Sequence, residues 1–325
     1  MFPSFIFIKE HVMLIKDQIK LWNGRRYYSL DCYLKNTFNK KLYKLSLDGG
    51  MTCPNRDGRI SKGGCIFCSA GGSGEFTADR SLSINEQISQ AKEKVSRKTN
   101  GEGYIAYFQA FTNTYAPCDY LERLFMPVIM RDDIDVLSIA TRPDCLESDK
   151  LRLLSRLRKI KPIWVELGLQ TSKPESARLI NRGYELSCFE STVNDLKSIG
   201  AEVIVHTIAG LPYETHEDMI NTVTYAAKSG ADGIKLQLLH VLKGTVLAEM
   251  YRKKEFEVLS QEEYISLLCD MISVLPPQTV IHRLTGDGDK RLLIAPLWSG
   301  DKRNVLNSLN HQLKARNIIQ GCALK

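Results

Sequence analysis

The sequence predicts an α/β protein that forms a partial TIM-like barrel of six βα units, a (β/α)6 arrangement, with short extensions at both ends. Short β-branched runs alternate with amphipathic stretches of helical period along most of the chain. From the second run onward, successive runs start 28 to 46 residues apart, which leaves room for one or two helices in each gap. Connections of that length join parallel strands, so we expect a parallel sheet that closes partly into a barrel.

Seven segments have the composition of strands, and the first also alternates apolar and polar residues before it reaches Gly49 and Gly50. In chain order the predicted strands are 43–48, 104–109, 135–140, 163–170, 202–209, 233–240 and 279–285.

Eight segments carry apolar residues at helical spacing, and capping signals mark several of their ends. Ser83 stands three residues before Glu86, which is the spacing of a capping box. Gly200 and Gly230 lie just past the ends of two helices. The predicted helices are 83–97, 119–131, 148–158, 174–181, 187–199, 216–229, 261–274 and 302–317.

The chain contains no Pro/Ser-rich linker, so we divide it into one barrel and two extensions. The N-terminal extension is 1–40, the core barrel is 41–285, and the C-terminal extension is 286–325, which includes the last amphipathic helix. Met13 opens an ordinary helical pattern, and we therefore interpret residues 1–12 as an over-long gene start.

Composition and charge indicate an ordinary globular protein. The chain has 325 residues, 43% of them hydrophobic and 25% charged, which excludes a disordered, collagen-like or coiled-coil protein. With 44 Lys and Arg against 37 Asp and Glu, the net charge of +7 permits an RNA partner without requiring one. No run approaches the roughly 18 apolar residues needed to cross a bilayer, and the apolar first eight residues lack the flanks of a signal peptide. We therefore expect a cytoplasmic protein with no membrane partner.

Polar residues stand at or near the carboxyl ends of five predicted strands, where a barrel places its chemistry. Single polar residues there are often structural, but five strands that each carry them describe a polar cavity. These residues are Gln109, Arg142, Asp144, Glu166, Gln170, His206, Lys235, Gln237 and His240.

Three cysteines follow the first predicted strand in a Gly-rich loop, with the spacing C-x11-C-x2-C formed by Cys53, Cys65 and Cys68. Three interpretations compete. A structural zinc site needs a fourth ligand, which no second C-x2-C or H-x3–5-H motif supplies. A redox dithiol uses only Cys65 and Cys68. An iron–sulfur cluster held by three cysteines leaves one iron open to a substrate or cofactor.

Together with this loop, several motifs resemble the radical S-adenosylmethionine (SAM) superfamily. The wide first gap departs from the usual C-x3-C-x2-C and is similar to the branch that contains the Elongator catalytic subunit. Segments 22–28 and 47–58 resemble more narrowly the bacterial YhcC/YtqA-type family. The other matching motifs are 108–115, 141–144, 166–171, 181–183 and 209–212, so that the resemblance runs from about residue 20 to the end.

The resemblance implies a [4Fe–4S] cluster held by Cys53, Cys65 and Cys68, with SAM chelating the open iron. An electron passed to the sulfonium then yields methionine and a 5′-deoxyadenosyl radical that abstracts hydrogen from an unactivated C–H bond. The family's SAM contacts carry over to these positions: Gln109, Asn113 and Thr114 for the amino group, Glu166 and Gln170 for the ribose or amino group, Arg182 for the carboxylate, Gly210, Leu211 and Pro212 for the adenine, and Asp144 and His206 as further contacts. Lys235, Gln237 and His240 are candidates for quenching the product radical.

The resemblance also implies a tRNA substrate, with conversion of a carboxymethylaminomethyl group on the wobble uridine towards aminomethyl, and a low-potential electron donor of the flavodoxin or ferredoxin type. Basic clusters that could follow phosphates are Arg25-Arg26, 40–44, 156–161 and 252–254. Two alternatives remain open at this point: a radical SAM enzyme acting on a small metabolite such as a tetrapyrrole, and a zinc-stabilised, non-catalytic RNA-binding module.

Overall fold

A parallel seven-stranded sheet forms the centre of the molecule. The computed structural model describes residues 17–72, 74–98, 101, 103–286 and 288–324. The strand order is β1-β2-β3-β4-β5-β6-β8, and every neighbouring pair is parallel. The sheet curls so far that Lys44 Nζ on β1 lies 2.8 Å from the Glu166 carboxylate on β4. The predicted partial barrel is confirmed.

The strands are β1 Tyr43–Leu47, β2 Tyr104–Phe108, β3 Ile134–Thr141, β4 Ile163–Gln170, β5 Glu202–Ala209, β6 Gly233–Leu238, β7 Val241–Leu242, β8 Val280–Arg283 and β9 Leu293–Ala295. The helices are α1 Leu30–Phe38, α2 Ile84–Val95, α3 Cys118–Ile129, α4 Ser148–Arg158, α5 Pro174–Leu179, α6 Leu186–Ser198, α7 His216–Lys228, α8 Val246–Arg252, α9 Gln261–Val274 and α10 Lys302–Ala315.

The helices pack on the outer face of the sheet, where the strands are apolar, whereas Lys44, Glu166 and Lys235 alternate with these apolar residues on the inner face. All five residues of β2 are buried, and Phe108 at its end packs edge-to-face on Phe125 of α3 with ring centroids 4.9 Å apart. The predicted capping box of Ser83 and Glu86 is present at the start of α2. Among the described residues, no helix is both long and apolar enough to cross a membrane.

The amino end of the barrel is closed by α1, which the sequence pattern did not reveal. Tyr33 packs on Trp164 of β4 with ring centroids 6.0 Å apart. Its hydroxyl lies 2.9 and 2.8 Å from the two carboxylate oxygens of Glu202 on β5. A short backbone bridge between Ser29 and Ile281 ties the same segment to β8. The N-terminal segment is therefore part of the barrel's hydrophobic plug, whereas the expectation for residues 1–12 lies outside the described residues.

Removing the Tyr33 hydroxyl should weaken this closure without touching the cysteine loop. We expect Tyr33→Phe to lower the free energy of unfolding by about 1–2 kcal/mol, because a part-buried carboxylate loses its donor. Urea unfolding of Tyr33→Phe beside Tyr213→Phe, whose side chain is 63% exposed, measures the difference. Equal midpoints for the two variants would contradict the closure by α1.

The C-terminal part differs from the predicted pattern around the sixth strand. The segment 233–240 was expected to be one strand, but β6 ends at Leu238, and β7 pairs antiparallel with β9 in a separate two-stranded ribbon. Strands of two and three residues are too short to show a period, and α8 between them was also missed. The expected last helix is present as α10, which buries Val305, Leu309 and Leu313.

Candidate active site

The cysteine loop lies over the carboxyl edge of the sheet, as the sequence predicts. Its first turn is closed by backbone bonds from Arg56 and Asp57 to the carbonyl of Cys53, with N···O distances of 2.8 and 3.3 Å. The buried amide of Asn55 donates to the carbonyl of Asn181 at 2.6 Å and so ties the loop to the segment after α5. The amide of Asn181 donates back to the Ser61 hydroxyl and to the Gly64 carbonyl, at 2.8 and 3.0 Å. Local turns and these long-range bonds therefore set the position of the loop.

The three thiols open into one cavity of about 180 Å³, which their loop shares with the ends of the strands. A hydrogen bond from Cys68 is the main reason that the pKa of Cys65 falls to about 7, and nearby Arg142 and Arg56 act in the same direction. The same hydrogen bond, together with burial, raises the pKa of Cys68. Of these two thiols, Cys65 therefore loses its proton more readily near neutral pH.

The donor set fits an iron–sulfur cluster better than a single ion. Within the described ranges, no group of three or more His, Cys, Asp or Glu side chains converges on one metal position. A [4Fe–4S] cluster binds each cysteine to a different iron, so its ligands surround a bulky core rather than a point. Cys53, Cys65 and Cys68 all line this cavity and would hold such a cluster.

Eleven of the residues chosen from the sequence line this cavity. They are Cys53, Cys65, Cys68, Gln109, Arg142, Glu166, Gln170, Arg182, His206, Lys235 and Gln237. Seven others do not line it: Asn113, Thr114, Asp144, Gly210, Leu211, Pro212 and His240.

A fully buried carboxylate forms the floor of the cavity. Glu166 Oε1 lies 2.8 Å from Lys44 Nζ and 2.9 Å from Ser138 Oγ. Its Oε2 lies 2.7 Å from His206 Nε2 and accepts a further bond from Lys235. Burial alone would raise the pKa of Glu166, but the charges of Lys235 and Lys44 outweigh it and hold the pKa well below its usual range. The carboxylate is therefore ionised and already has four donors, which favours a positioning role over the predicted contact with SAM.

His206 is held in its neutral form at this floor. Burial and the positive charge of Lys235 lower its pKa to about 4, although the bond to Glu166 acts in the opposite direction. The neutral ring donates its Nε2 proton to the Glu166 carboxylate, an arrangement in which Nδ1 carries no proton.

This state of His206 predicts an acid-side loss of stability. The ring of His206 has a pKa near 6.5 in the unfolded chain and about 4 in the folded protein. Between these two pH values the unfolded chain therefore binds a proton that the folded protein does not bind. We expect the free energy of unfolding to fall as the pH drops from about 6.5 to 4, and His206→Asn to fall less steeply over the same range. Urea unfolding across this range measures both slopes; parallel curves would contradict the neutral assignment.

The expected contacts of Asn113 and Thr114 with SAM are not supported by their positions. Asn113 is fully buried, and its amide donates to the carbonyls of Phe108, Ala110 and Ala140, each at 3.0 Å. The Thr114 hydroxyl is bonded to Thr141 and to the carbonyl of Cys145. Both side chains hold the turn after β2 against β3, and the turn instead presents Phe111 and Thr112 to the cavity.

Asp144 and the segment 210–212 also lie behind the cavity wall. Asp144 accepts two bonds from Arg142, at 2.8 and 2.7 Å, and so orients a guanidinium that does line the cavity. Leu211 is buried in an apolar cluster with Leu239 and Leu247, and the Gly210 amide points at Met219 Sδ at 3.1 Å. His240 lines a smaller neighbouring cavity together with Gly286 and Gly288. These residues therefore lie outside the cavity that the cysteines share.

Arg182 and Gln170 reach the cavity but are anchored by backbone. Arg182 donates to the carbonyls of Leu169, Thr171 and Tyr184, at 3.2, 2.7 and 3.1 Å. Gln170 has a φ of 61° at a β-bulge, and its side chain folds back so closely that a Cβ at residue 168 would lie 2.3 Å from the end of its amide group. Glycine at 168 is therefore required for this fold-back.

An aromatic and cationic group on the cavity rim was not predicted from the sequence. The guanidinium carbons of Arg56 and Arg80 lie 5.4 and 5.9 Å from the centroid of the Phe111 ring. Tyr107 and Arg283, which line the floor, were not predicted either. Loop arginines and strand aromatics carry no spacing signal, but Arg283 lies near the carboxyl end of the predicted strand 279–285 and could have been chosen on that ground.

This curled parallel sheet, with a three-cysteine loop above a polar cavity at its carboxyl edge, defines a radical SAM enzyme. Comparison with protein families supports the same class: the radical SAM superfamily model matches residues 55–226, and the radical SAM C-terminal domain model matches residues 231–315.

The chain belongs to the radical SAM superfamily, and its cofactors are a [4Fe–4S] cluster and SAM. It is 44% identical over 297 residues to YtqA of Bacillus subtilis, a match that covers 91% of this chain and 92% of that protein. It is 27% identical over 197 residues to Elongator complex protein 3 of Bos taurus, covering 59% of this chain but 34% of that protein. The structure of archaeal Methanocaldococcus infernus Elp3 superposes with a TM-score of 0.64 at 17% identity, covering 86% of this chain and 64% of that one.

Proposed function

We propose that this radical SAM enzyme converts the carboxymethylaminomethyl group on the wobble uridine of tRNA towards aminomethyl. The observation that carries the proposal is the sequence similarity to Elongator complex protein 3 over 197 residues, together with the wide C-x11-C-x2-C spacing, which resembles the same branch. The proposal places the reaction in the cytoplasm, with an electron donor of the flavodoxin or ferredoxin type. Membership of an enzyme superfamily leaves no place for the zinc-stabilised, non-catalytic module considered above.

The residues present can divide the work as follows. Cys53, Cys65 and Cys68 would hold the cluster, and Arg182 and Gln109 would face SAM from the cavity wall. When bound, the cluster and SAM would supply hydrogen abstraction from the CH₂ of the carboxymethyl group, which no side chain can perform. The two-electron oxidation of that carbon is balanced by the reductive cleavage of SAM to methionine and 5′-deoxyadenosine. Water then cleaves the resulting imine, so that the two carbons leave as glyoxylate and the aminomethyl group remains. The protein's own contribution is to orient the target and to keep water away from it during the radical step.

Several basic residues chosen from the sequence for tRNA contact are already paired with carboxylates or point into the barrel. Lys44 points into the barrel rather than outward, and Lys40 pairs with Asp135 at 2.8 Å. In the 156–161 cluster, Arg156 pairs with Glu122, and the rest of the cluster lies at the amino side of β4, away from the cavity. The cysteine loop itself presents Arg59 and Lys62, both exposed, beside the cavity.

Replacing these two exposed cations should weaken tRNA binding and its salt dependence. We expect Arg59→Ala with Lys62→Ala to reduce the slope of log Kd against log salt by about 1 to 2, one unit for each lost phosphate contact. Filter binding at several salt concentrations measures the slope. Arg123→Ala on α3, 70% exposed and paired with Asp119, is the control, and an equal slope in both variants would contradict a tRNA path over the cysteine loop.

Nucleoside mass spectrometry on tRNA from a strain that lacks the gene tests the proposed substrate. We expect aminomethyl-type wobble uridines to disappear and the carboxymethylaminomethyl form to accumulate, with recovery when the intact gene is returned but not its Cys65→Ser variant. An unchanged wobble-uridine profile would overturn the proposal in favour of a small-molecule substrate.

A further inference from the structure

The two ring nitrogens of His206 have different surroundings in the cavity. Nε2 lies 2.7 Å from the ionised Glu166 carboxylate and donates its proton there. No part of the chain that the structure describes forms a hydrogen bond with Nδ1. That nitrogen is also not one of the buried atoms left without a partner, unlike Nδ1 of His282 on β8. Since the ring lines the cavity, Nδ1 of His206 is open to a ligand there.

The His206 ring is held in one orientation. Lys44, Ser138 and Lys235 donate to the Glu166 carboxylate and so fix the group that accepts from Nε2. His206 itself stands on β5, which is paired with β4 on one side and β6 on the other. A carboxylate bonded to one ring nitrogen fixes the tautomer and makes the other nitrogen a better acceptor. Nδ1 is therefore a preorganised acceptor.

An acceptor without a proton restricts which groups can bind to it. The pKa of His206 is lowered to about 4, chiefly by burial and then by the charge of Lys235, so the ring is uncharged near neutral pH and Nδ1 cannot donate. The other charges that act on the ring are those of Glu166 and Arg283. A carboxylate, phosphate or carbonyl oxygen cannot form a hydrogen bond with Nδ1, whereas an N–H or O–H group can. The ligand must therefore bring the donor.

The substrate proposed above carries such a donor next to the carbon that reacts. Of the groups on its side chain, the carboxylate only accepts, whereas the secondary amine has an N–H. His206 stands three residues before the end of β5, deeper in the barrel than the cysteine loop, which lies over the carboxyl edge. Because SAM binds at that loop through the open iron, the floor is the place for the side chain of the substrate.

We propose that Nδ1 of His206 accepts a hydrogen bond from the secondary amine of the substrate's side chain and so holds the neighbouring CH₂ in position for hydrogen abstraction. The inference rests on the proposed function, because the carboxymethylaminomethyl group contains this amine. It replaces the contact with SAM that the resemblance implied for His206. With its N–H directed at the ring, the uncharged amine keeps a free lone pair, which stabilises a radical on the adjacent carbon. His206 is thus a substrate-binding residue, and Glu166 is a positioning residue that acts through it.

Binding of two synthetic RNAs tests this contact without turnover. The cluster-loaded enzyme with SAM and no reductant is titrated with an anticodon stem-loop whose wobble uridine carries either the carboxymethylaminomethyl group or its ether analogue, in which oxygen replaces the N–H. We expect the wild type to bind the amine form about 10- to 100-fold more tightly, because the ether leaves Nδ1 without a donor.

Two substitutions of His206 separate the roles of the two nitrogens. His206→Gln places its amide near the site of Nε2 and keeps a donor for Glu166, but it has no acceptor near the site of Nδ1, so we expect it to lose the preference for the amine. His206→Asn places its amide near the site of Nδ1 and should keep part of the preference. His216→Asn on α7, whose side chain is 55% exposed, is the control and should leave the preference unchanged.

Iron content and cluster absorbance report whether His206→Gln is folded, and His206→Leu, with the same expected loss, replaces it if it is not. A wild type without preference, or a His206→Gln protein that keeps the full preference, would overturn the contact with the amine. Equilibrium dialysis of SAM adds a second readout: weaker SAM binding by His206→Gln with an unchanged RNA preference would overturn the contact in favour of one with SAM.

Addition of reductant separates the two levels of the proposal. If the wild type converts the RNA while His206→Gln retains the preference, only the contact of His206 with the amine fails. If the wild type does not convert the RNA, the proposed function fails.

Discussion

We expect that replacing Cys53, Cys65 or Cys68 one at a time by Ala reduces SAM cleavage by more than about 100-fold. Replacing a residue that only hydrogen-bonds a metal ligand typically lowers metal affinity or activity by about 10- to 100-fold, and loss of a ligand itself should cost more. The reason is that three thiolates are the minimum that holds the cluster while leaving one iron open. Each of the three side chains lines the same cavity, and they come from one loop after β1. Production of 5′-deoxyadenosine by the anaerobically reconstituted, reduced protein measures the effect.

Cys322→Ser is the matched control because Cys322 is exposed and lies after α10 at the far end of the chain. The barrel is expected to stay folded in all four variants, since its core residues are contributed by strands and helices rather than by the cysteine loop. Circular dichroism and thermal unfolding report on this. Full SAM cleavage by any of the three cavity variants would contradict the assignment of that cysteine as a ligand.

Glu166→Gln should produce the largest loss of stability of any single charge change in the barrel. The variant removes the negative charge that holds the buried Lys235 and the part-buried Lys44 inside the sheet. Breaking a buried ion pair by removing one partner costs about 3–5 kcal/mol, since the other charge is left without compensation. Urea unfolding of the protein without cofactors measures this loss, so that cluster binding does not enter the comparison.

The double variant Glu166→Gln with Lys235→Met shows whether the stability loss of Glu166→Gln comes from the broken ion pair or from a general disturbance of the packing at the floor. Because the second change removes the uncompensated charge, we expect it to recover a large part of the lost free energy, as buried ion pairs replaced by apolar residues often do. The single variant Lys235→Met completes the cycle. Additive losses in the double variant would show that the two side chains are not coupled.

The sequence predicted the parts of this structure that depend on local spacing. The seven strands of the sheet and the C-x11-C-x2-C loop are each defined by residues close together in the chain. The Glu166 cluster is different, because Lys44 stands 122 residues away and Lys235 stands 69 residues away in sequence. Glu166 and Lys235 were both chosen as strand-end polar residues, but only the curl of the sheet shows that they form an ion pair.

The residues that were expected to line the cavity but do not line it were chosen wrongly for one physical reason. Asn113, Thr114 and His240 follow strand ends, where the direction of a side chain is set by the turn rather than by the two-residue period of the strand. The Asn113 side chain turns inward and donates hydrogen bonds to three backbone carbonyls. No periodic pattern in the sequence predicts such a turn. The same holds for α1, whose contribution to the barrel rests on the distant contact of Tyr33 with Glu202.

Electron paramagnetic resonance of the reduced, iron-loaded protein tests most directly the claim that three cysteines leave one corner of the cluster open to SAM. We expect about four irons per chain and a cluster signal whose g values change when SAM is added, because SAM binds the open iron. A signal that SAM leaves unchanged, or a protein that takes up zinc and no iron under anaerobic reconstitution, would contradict the claim.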